Sequence, residues 1–71
     1  MTGHELIARL KRLGRRSGAL VRYDERRGKG SHGRLWYGDR FTTIKDRRKE
    51  ISVGLLHDML RQLGLRREDI E

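Results

Sequence analysis

The chain has 71 residues, with 18 Lys and Arg against 10 Asp and Glu, which gives a formal net charge of +8. A chain of this length buries only about 60% of its unfolded surface on folding, so we predict one domain over residues 1–71 without a deep substrate cavity. It contains no cysteine and only three histidines, which excludes disulfides and thiolate metal sites and does not favour zinc. No stretch is long and apolar enough to cross a bilayer, and we therefore expect a soluble, cytoplasmic protein.

The charge predicts an anionic partner, because a net charge of +8 on a small domain raises the surface potential by several kT. The cations concentrate in predicted loops and at strand ends rather than along one face of an amphipathic helix, which favours nucleic acid over a membrane surface. Arginine outnumbers lysine, which suits bidentate phosphate contacts. The alternative is a charged surface that only keeps a small domain in solution.

A first helix is predicted over residues 3–13. Thr2 and Glu5 form a capping-box pattern at its start, and Gly14 is predicted to end it. Apolar residues recur at helical spacing between these points: Leu6, Ile7, Leu10 and Leu13. This pattern predicts that one face of the helix is buried.

Three strands are predicted next, over residues 19–23, 34–37 and 40–44. Apolar and aromatic residues that favour a pleated surface are frequent in all three. Gly38 and Asp39 join the second and third strands in a two-residue turn, in which glycine accepts a positive φ. His32 then lies at the entrance to the second strand.

A charged connection over residues 45–50 follows and is predicted to be solvated rather than folded on itself. Ser52 is the predicted N-cap of a second helix, which Gly64 is predicted to end. Its apolar residues recur at helical spacing: Leu56, Met59, Leu60 and Leu63. The tail is predicted to add a turn packed by Leu65 and Ile70.

This order of elements predicts an α+β fold, α-β-β-β-α, with a three-stranded antiparallel sheet and both helices on one face, similar to the double-stranded-RNA-binding fold. The predicted core is Leu6, Ile7, Leu10, Leu13, Leu20, Leu35, Tyr37, Ile44, Leu56, Met59, Leu60 and Leu63. Val21, Trp36 and Phe41 are left unassigned, since strict alternation puts Trp36 on the face opposite Leu35 and Tyr37. The other sheet face is expected to be open to a partner.

The strongest chemical signal is the segment 26–34, Arg-Arg-Gly-Lys-Gly-Ser-His-Gly-Arg, which places one imidazole among glycines and cations. Histidine exchanges protons near neutrality because its ordinary pKa is about 6.5. His32 is therefore the candidate catalytic base for a ribose 2′-hydroxyl. The candidate RNA-binding residues are Lys29, Gly30, Ser31, Arg34 and Lys45. The alternative is a basic, Gly-rich hairpin loop whose histidine takes no part in chemistry.

The other candidate residues and motifs give weaker support for a catalytic site. His4 lies in the first turn of a helix, where the helix dipole disfavours a cation, and His57 lies on the solvated face of the second helix. Neither a phosphate-binding P-loop nor a Ser-His-Asp arrangement is present, since Ser31 and His32 are neighbours that point to opposite faces of an extended chain. For Trp36, base stacking and ordinary sheet packing are both open.

Three features, in this order, resemble the HicA-type mRNA interferase toxins over nearly the whole chain. They are the early Glu5-Leu6-Ile7 helix, the Gly30-Ser31-His32 step into a strand, and the helix from Leu55 to Leu65. The resemblance implies a double-stranded-RNA-binding-like fold, cleavage of mRNA by a single catalytic histidine at His32, and neutralisation by a HicB-type antitoxin. It implies no metal and no small-molecule cofactor.

The chain departs from that family at two points. Gly33 follows the histidine where many members have another histidine or a polar residue, and the loop over residues 24–29 looks longer than usual. In the implied reaction, His32 takes the 2′-hydroxyl proton, and Lys29, Arg34 or Lys45 offsets the charge that develops on the phosphate.

Two functions outside catalysis remain open. The first is a non-catalytic RNA-binding module with the same basic surface, although the start of the second helix, residues 51–55, lacks the lysine cluster with which a standard double-stranded-RNA-binding domain grips phosphates. The second is an adaptor whose basic face docks an acidic protein. Growth arrest on expression, relieved by a neighbouring gene, would separate a toxin from both.

Overall fold

The computed structural model describes residues 1–25 and 32–71. Its elements in chain order are α1 (Gly3–Ser17), β1 (Val21–Glu25), β2 (Gly33–Tyr37), β3 (Arg40–Ile44), α2 (Val53–Gln62) and a 3₁₀ helix (Arg67–Ile70). The three strands form one antiparallel sheet in the order β1-β2-β3. The predicted α+β fold, with the order α-β-β-β-α, is therefore confirmed.

Side-chain caps define the start of both α-helices. The Thr2 hydroxyl accepts a hydrogen bond from the Glu5 N–H at 3.2 Å, while the Thr2 N–H donates to the Glu5 carboxylate at 3.1 Å. The latter bond lowers the pKa of Glu5. At α2, the Ser52 hydroxyl accepts from the Leu55 N–H at 3.3 Å. Both predicted N-caps are thus confirmed. Among the described residues, no helix has the length and apolar character needed to span a membrane.

Both helices pack on one face of the sheet and enclose a hydrophobic core: α1 contacts β1 and β2, and α2 contacts β3. The buried apolar residues are Leu6, Ile7, Leu10, Leu35, Ile44, Leu56, Met59, Leu60, Leu63 and Ile70. Leu13 and Tyr37, also predicted for the core, are partly buried against it. Ile70 reaches the core from the 3₁₀ helix, as expected for the tail. Burial of these side chains fixes which sheet face is covered.

The opposite face of the sheet is open. Trp36 and Phe41 are cross-strand partners on this face, and Arg34 and Thr43 form the next pair on the same face. Arg22 on β1 opposes Trp36. Val21, in contrast, packs against the core. The structure thereby assigns the three residues that alternation alone did not place.

The prediction that Leu20 belongs to the core is wrong. Strand β1 begins at Val21, two residues later than predicted, and Leu20 lies just before it with 73% of its surface exposed. Its carbonyl accepts a hydrogen bond from the Gly38 N–H at 2.8 Å. The backbone of Leu20 therefore extends the pairing towards the β2–β3 turn, whereas its side chain is left in solvent.

The prediction that Gly14 ends the first helix is also wrong. The helix continues to Ser17, and Gly18, with φ of 80°, caps it by donating its N–H to the Gly14 carbonyl at 2.8 Å. Gly14 is instead a close-packing position: a Cβ there would lie 2.6 Å from Val21 Cγ2 and 2.7 Å from the Ala19 carbonyl oxygen. A glycine is required because β1 crosses α1 at this point.

Gly14 is closely packed and Gly54 is not, and this contrast predicts opposite effects for Gly→Ala substitutions at the two helical positions. Gly14→Ala should lower the free energy of unfolding by about 1–3 kcal/mol, because the added methyl group overpacks against backbone and a stiff valine. Gly54→Ala in α2 should raise it by about 0.5–1 kcal/mol, because a Cβ there meets nothing within 4 Å. Urea unfolding of both variants measures this. A stabilised Gly14→Ala protein would contradict the close packing of α1 on β1.

Candidate active site

An open cavity of about 620 Å³ lies between the end of β3, the connection that follows it, and α2. Its polar lining consists of His32, Thr43, Lys45, Asp46, Lys49 and Glu50. Its apolar lining consists of Ile44, Ile51, Leu55 and Met59. This volume falls within the range of about 300–1,000 Å³ that is typical of small-ligand sites. The cavity therefore combines an apolar wall with a rim that carries two ammonium groups, two carboxylates and one imidazole.

The register of β2 and β3 brings His32 and Lys45 together. Gly33 is paired with Ile44 at the end of this antiparallel ladder. His32 comes directly before β2 and Lys45 directly after β3, so both residues lie at this end of the ladder. His32 is exposed, and both residues line the cavity. An imidazole and an ammonium group are thus placed at the same end of the sheet.

Gly33, the residue after His32, lets the backbone pass close to the ring of Tyr23. A Cβ at Gly33 would lie 2.3 Å from the hydroxyl oxygen of Tyr23. The Arg47 guanidinium carbon lies 5.0 Å from the centroid of the same ring. Burial raises the pKa of Tyr23, against the opposing effect of Arg47, so the phenol stays protonated at neutral pH. The close approach fixes the backbone from which His32 departs.

Both carboxylates on the cavity rim are already bound to positive groups that lie outside the lining described above. Asp46 accepts hydrogen bonds from the Arg48 N–H at 3.0 Å and from the Arg48 guanidinium at 3.4 Å. The backbone bond from Arg48 is the main cause that lowers the pKa of Asp46. The Glu50 carboxylate binds the amino group of Met1. Two ammonium groups, those of Lys45 and Lys49, lie on the same rim as these two carboxylates.

The start of α1 holds the connection over residues 45–50 in place. The His4 N–H donates to the Arg47 carbonyl at 2.9 Å, and the Ile51 N–H donates to the Met1 carbonyl at 2.8 Å. Gly3 packs closely on the same segment, since a Cβ there would lie 2.8 Å from Arg47 Cα. The prediction that this connection is solvated holds for its side chains, of which four of six are exposed and none is buried. Its backbone, however, forms a turn that is hydrogen-bonded to the start of the chain.

Of the predicted site residues, the structure brings His32 and Lys45 into one cavity. Arg34 lies on the open sheet face, where its guanidinium carbon is 4.7 Å from the Phe41 ring centroid, and it is not among the described lining residues. Lys29, Gly30 and Ser31 lie outside the described residues. The other histidines, His4 and His57, are exposed on their helices, as expected.

Sequence reasoning missed Lys49 and the apolar wall. The cationic composition of residues 45–50 was the signal for Lys49, although composition alone did not show which cation faces the cavity. Leu55 and Met59 belong to a helical apolar pattern, and that pattern does not distinguish a core position from a cavity wall. Across the described part of the chain, no group of three or more His, Cys, Asp or Glu residues is arranged to hold a metal ion.

Comparisons of the chain with protein-family models, curated proteins and solved structures gave no significant match.

The hydrogen bonds of Asp46 predict that the stability of the turn beside the cavity depends on pH. A pKa lowered by folding means that the carboxylate stabilises the turn above the pKa it has when unfolded, and that this contribution disappears as the pH falls through the folded value. The Arg48 amide shift in ¹⁵N NMR should titrate with a midpoint below the ordinary pKa of aspartate. Asp46→Asn should keep this amide protected from hydrogen exchange but abolish the titration, whereas Asp46→Ala should lose both. A midpoint at or above the ordinary value would contradict the hydrogen bonding described here.

Proposed function

We propose that this protein is a metal-independent endoribonuclease that cleaves mRNA, and that it acts as the toxin of a HicA-type toxin–antitoxin pair in the cytoplasm. The observation that carries the proposal is that His32 and Lys45, at the same end of the β2–β3 ladder, line one cavity together with Lys49. A proton acceptor beside cations is what cleavage of RNA through its own 2′-hydroxyl requires.

The cavity has features that suit one nucleotide of an RNA strand. Lys45 and Lys49 attract the phosphate, while Ile51, Leu55 and Met59 offer an apolar surface to the base or sugar. Single-stranded RNA is typically bound in this manner, with backbone contacts from cations and with bases held against apolar or aromatic side chains. Lys29, Gly30 and Ser31, directly before His32 in the chain, are proposed to contact the RNA backbone.

In the proposed reaction, neutral His32 accepts the proton of the 2′-hydroxyl. The O2′ atom forms a bond to the adjacent phosphorus, the P–O5′ bond breaks, and the departing 5′ oxygen takes a proton from water. The products are a 2′,3′-cyclic phosphate and a 5′-hydroxyl end. Lys45 stabilises the negative charge that develops on the phosphoryl oxygens. General-base catalysis of this kind contributes about 10²–10⁴-fold, so a slow enzyme is expected.

The start of α2 argues against a standard double-stranded-RNA-binding module. Val53 and Leu55 are 79% and 51% exposed there, where such a module carries lysines. Exposed apolar side chains beside the cavity suit a protein partner better than a phosphate backbone. We assign this surface to an acidic, HicB-type antitoxin that covers the cavity and blocks access to RNA.

Replacement of His32 tests the catalytic assignment. His32→Ala should lower the rate of mRNA cleavage in EDTA by about 10²–10⁴-fold and leave RNA retention unchanged. His57→Ala is the matched control, because His57 is an exposed histidine on α2 outside the cavity lining described here, and it should cleave at the parent rate. Fragments are followed on a denaturing gel.

Two outcomes would contradict this assignment. Cleavage by His32→Ala at the parent rate would show that another group acts as the base. If the parent protein does not cleave but retains RNA in a salt-sensitive manner, the protein is a non-catalytic RNA-binding module.

Replacement of Lys45 tests the phosphate contact. Lys45→Gln should weaken RNA binding and reduce the slope of log affinity against log salt by about 0.7, the amount expected for one phosphate contact on a single strand. Lys11→Gln, on the exposed surface of α1, is the charge-matched control and should change the slope less. Equal slopes for the two variants would remove Lys45 from the site and indicate only a diffuse effect of net charge.

A further inference from the structure

The open sheet face carries an aromatic pair, and each ring of the pair is covered by an arginine. The rings of Trp36 and Phe41 have centroids 4.9 Å apart and planes inclined at 41°. The Arg22 guanidinium carbon lies 5.3 Å from the Trp36 centroid, and that of Arg34 lies 4.7 Å from the Phe41 centroid. We call these four residues the aromatic–arginine face.

Packing within the sheet explains only part of this arrangement. Cross-strand aromatic pairs stabilise antiparallel strands, and that accounts for Trp36 next to Phe41. It does not account for Phe41 remaining 40% exposed on a face that neither helix covers. An aromatic surface edged by guanidinium groups combines the two features that bind single-stranded nucleic acid: π faces for bases and cations for phosphates.

We propose that the aromatic–arginine face binds single-stranded nucleic acid, with bases stacked on Trp36 and Phe41 and with phosphates bound by Arg22 and Arg34. The aromatic pair beside the guanidinium groups favours this occupant over an acidic protein, which the charge alone would attract equally. Among the described strand residues, the open face carries two guanidinium groups and one carboxylate, Asp24, in a chain of net charge +8. A guanidinium has five N–H donors, so one that lies over a ring can still donate to phosphate oxygens.

The face is adjacent to the cavity. Thr43, which opposes Arg34 on the open side of the sheet, also lines the cavity beside His32 and Lys45. A strand stacked on Trp36 and Phe41 can therefore continue past Arg34 and Thr43 towards His32. The proposal deepens the proposed function by adding a binding surface for the same strand. It does not depend on cleavage, because stacking and phosphate contacts require no 2′-hydroxyl.

Trp36 provides a direct probe, since it is the only tryptophan in the chain. Titration with a short single-stranded deoxyoligonucleotide, which lacks the 2′-hydroxyl and cannot undergo the proposed reaction, should quench Trp36 fluorescence in a saturable and salt-sensitive manner. Phe41→Ala should lower the affinity by about 5-fold or more, because one base loses its stacking partner. Phe41→Tyr should bind like the parent, which separates loss of the ring from general damage to the sheet.

Charge variants complete the test. Arg22→Gln should weaken binding and reduce its salt dependence, whereas Arg12→Gln, on the exposed surface of α1, should have a smaller effect on both. Circular dichroism and urea unfolding establish that each variant is folded before its affinity is compared with that of the parent.

Several results would overturn the inference. One is the absence of quenching, and another is quenching by a duplex that is as strong as quenching by the single strand. A third is a change in Trp36 emission that depends on protein concentration without oligonucleotide, together with a dimer in sedimentation, which would make the face a contact between two copies. Quenching by the oligonucleotide in a protein that does not cleave RNA would support this face while rejecting the proposed function. Cleavage of RNA without quenching of Trp36 by the oligonucleotide would reject this face as a binding surface while supporting the proposed function.

Discussion

The register between β2 and β3 is the constraint on which both the cavity and the open face depend. A two-residue turn with Gly38 at φ of 63° joins the strands, and pairing of Gly33 with Ile44 closes the other end of the ladder. A shift by one residue would reverse the face of every side chain. It would expose Leu35, which is fully buried, and would bury Arg34 and Trp36 beside it. Burial of the core therefore maintains the register, and the register places His32 and Lys45 at the same end of the ladder.

A chain of this size has enough apolar surface to cover one face of its sheet. The two helices and the 3₁₀ helix supply the apolar side chains for that face, and the other face remains in solvent. The surface left open is rich in aromatic and guanidinium groups, and the connection beside it carries lysines. The limited size that confines the core to one side thus also leaves two adjacent surfaces, the open sheet face and the cavity, in contact with solvent.

The elements were predictable where local sequence determines them. Helical spacing and cap residues predicted both helix starts, and the Gly38-Asp39 turn predicted the β2–β3 hairpin. Gly14 could not be assigned, because glycine ends helices and also permits close packing, and only the position of Val21 distinguishes these roles. The core position predicted for Leu20 was wrong for a related reason, because an apolar residue next to a strand does not show where strand pairing begins. His32 and Lys45 were each named from the sequence, but for separate reasons; their shared cavity follows from strand register, and that is a tertiary property.

The contacts available on these surfaces bear on what the proposed nuclease could recognise. Stacking on Trp36 and Phe41 tolerates any base, and phosphate contacts are the same along every strand. Sequence preference would therefore have to come from the apolar wall of the cavity, where shape and not hydrogen bonding discriminates, and such discrimination is weak. A nuclease of this kind would cleave many transcripts slowly. Its activity in a cell would then be limited by access to the cavity, which is the step that a covering antitoxin controls.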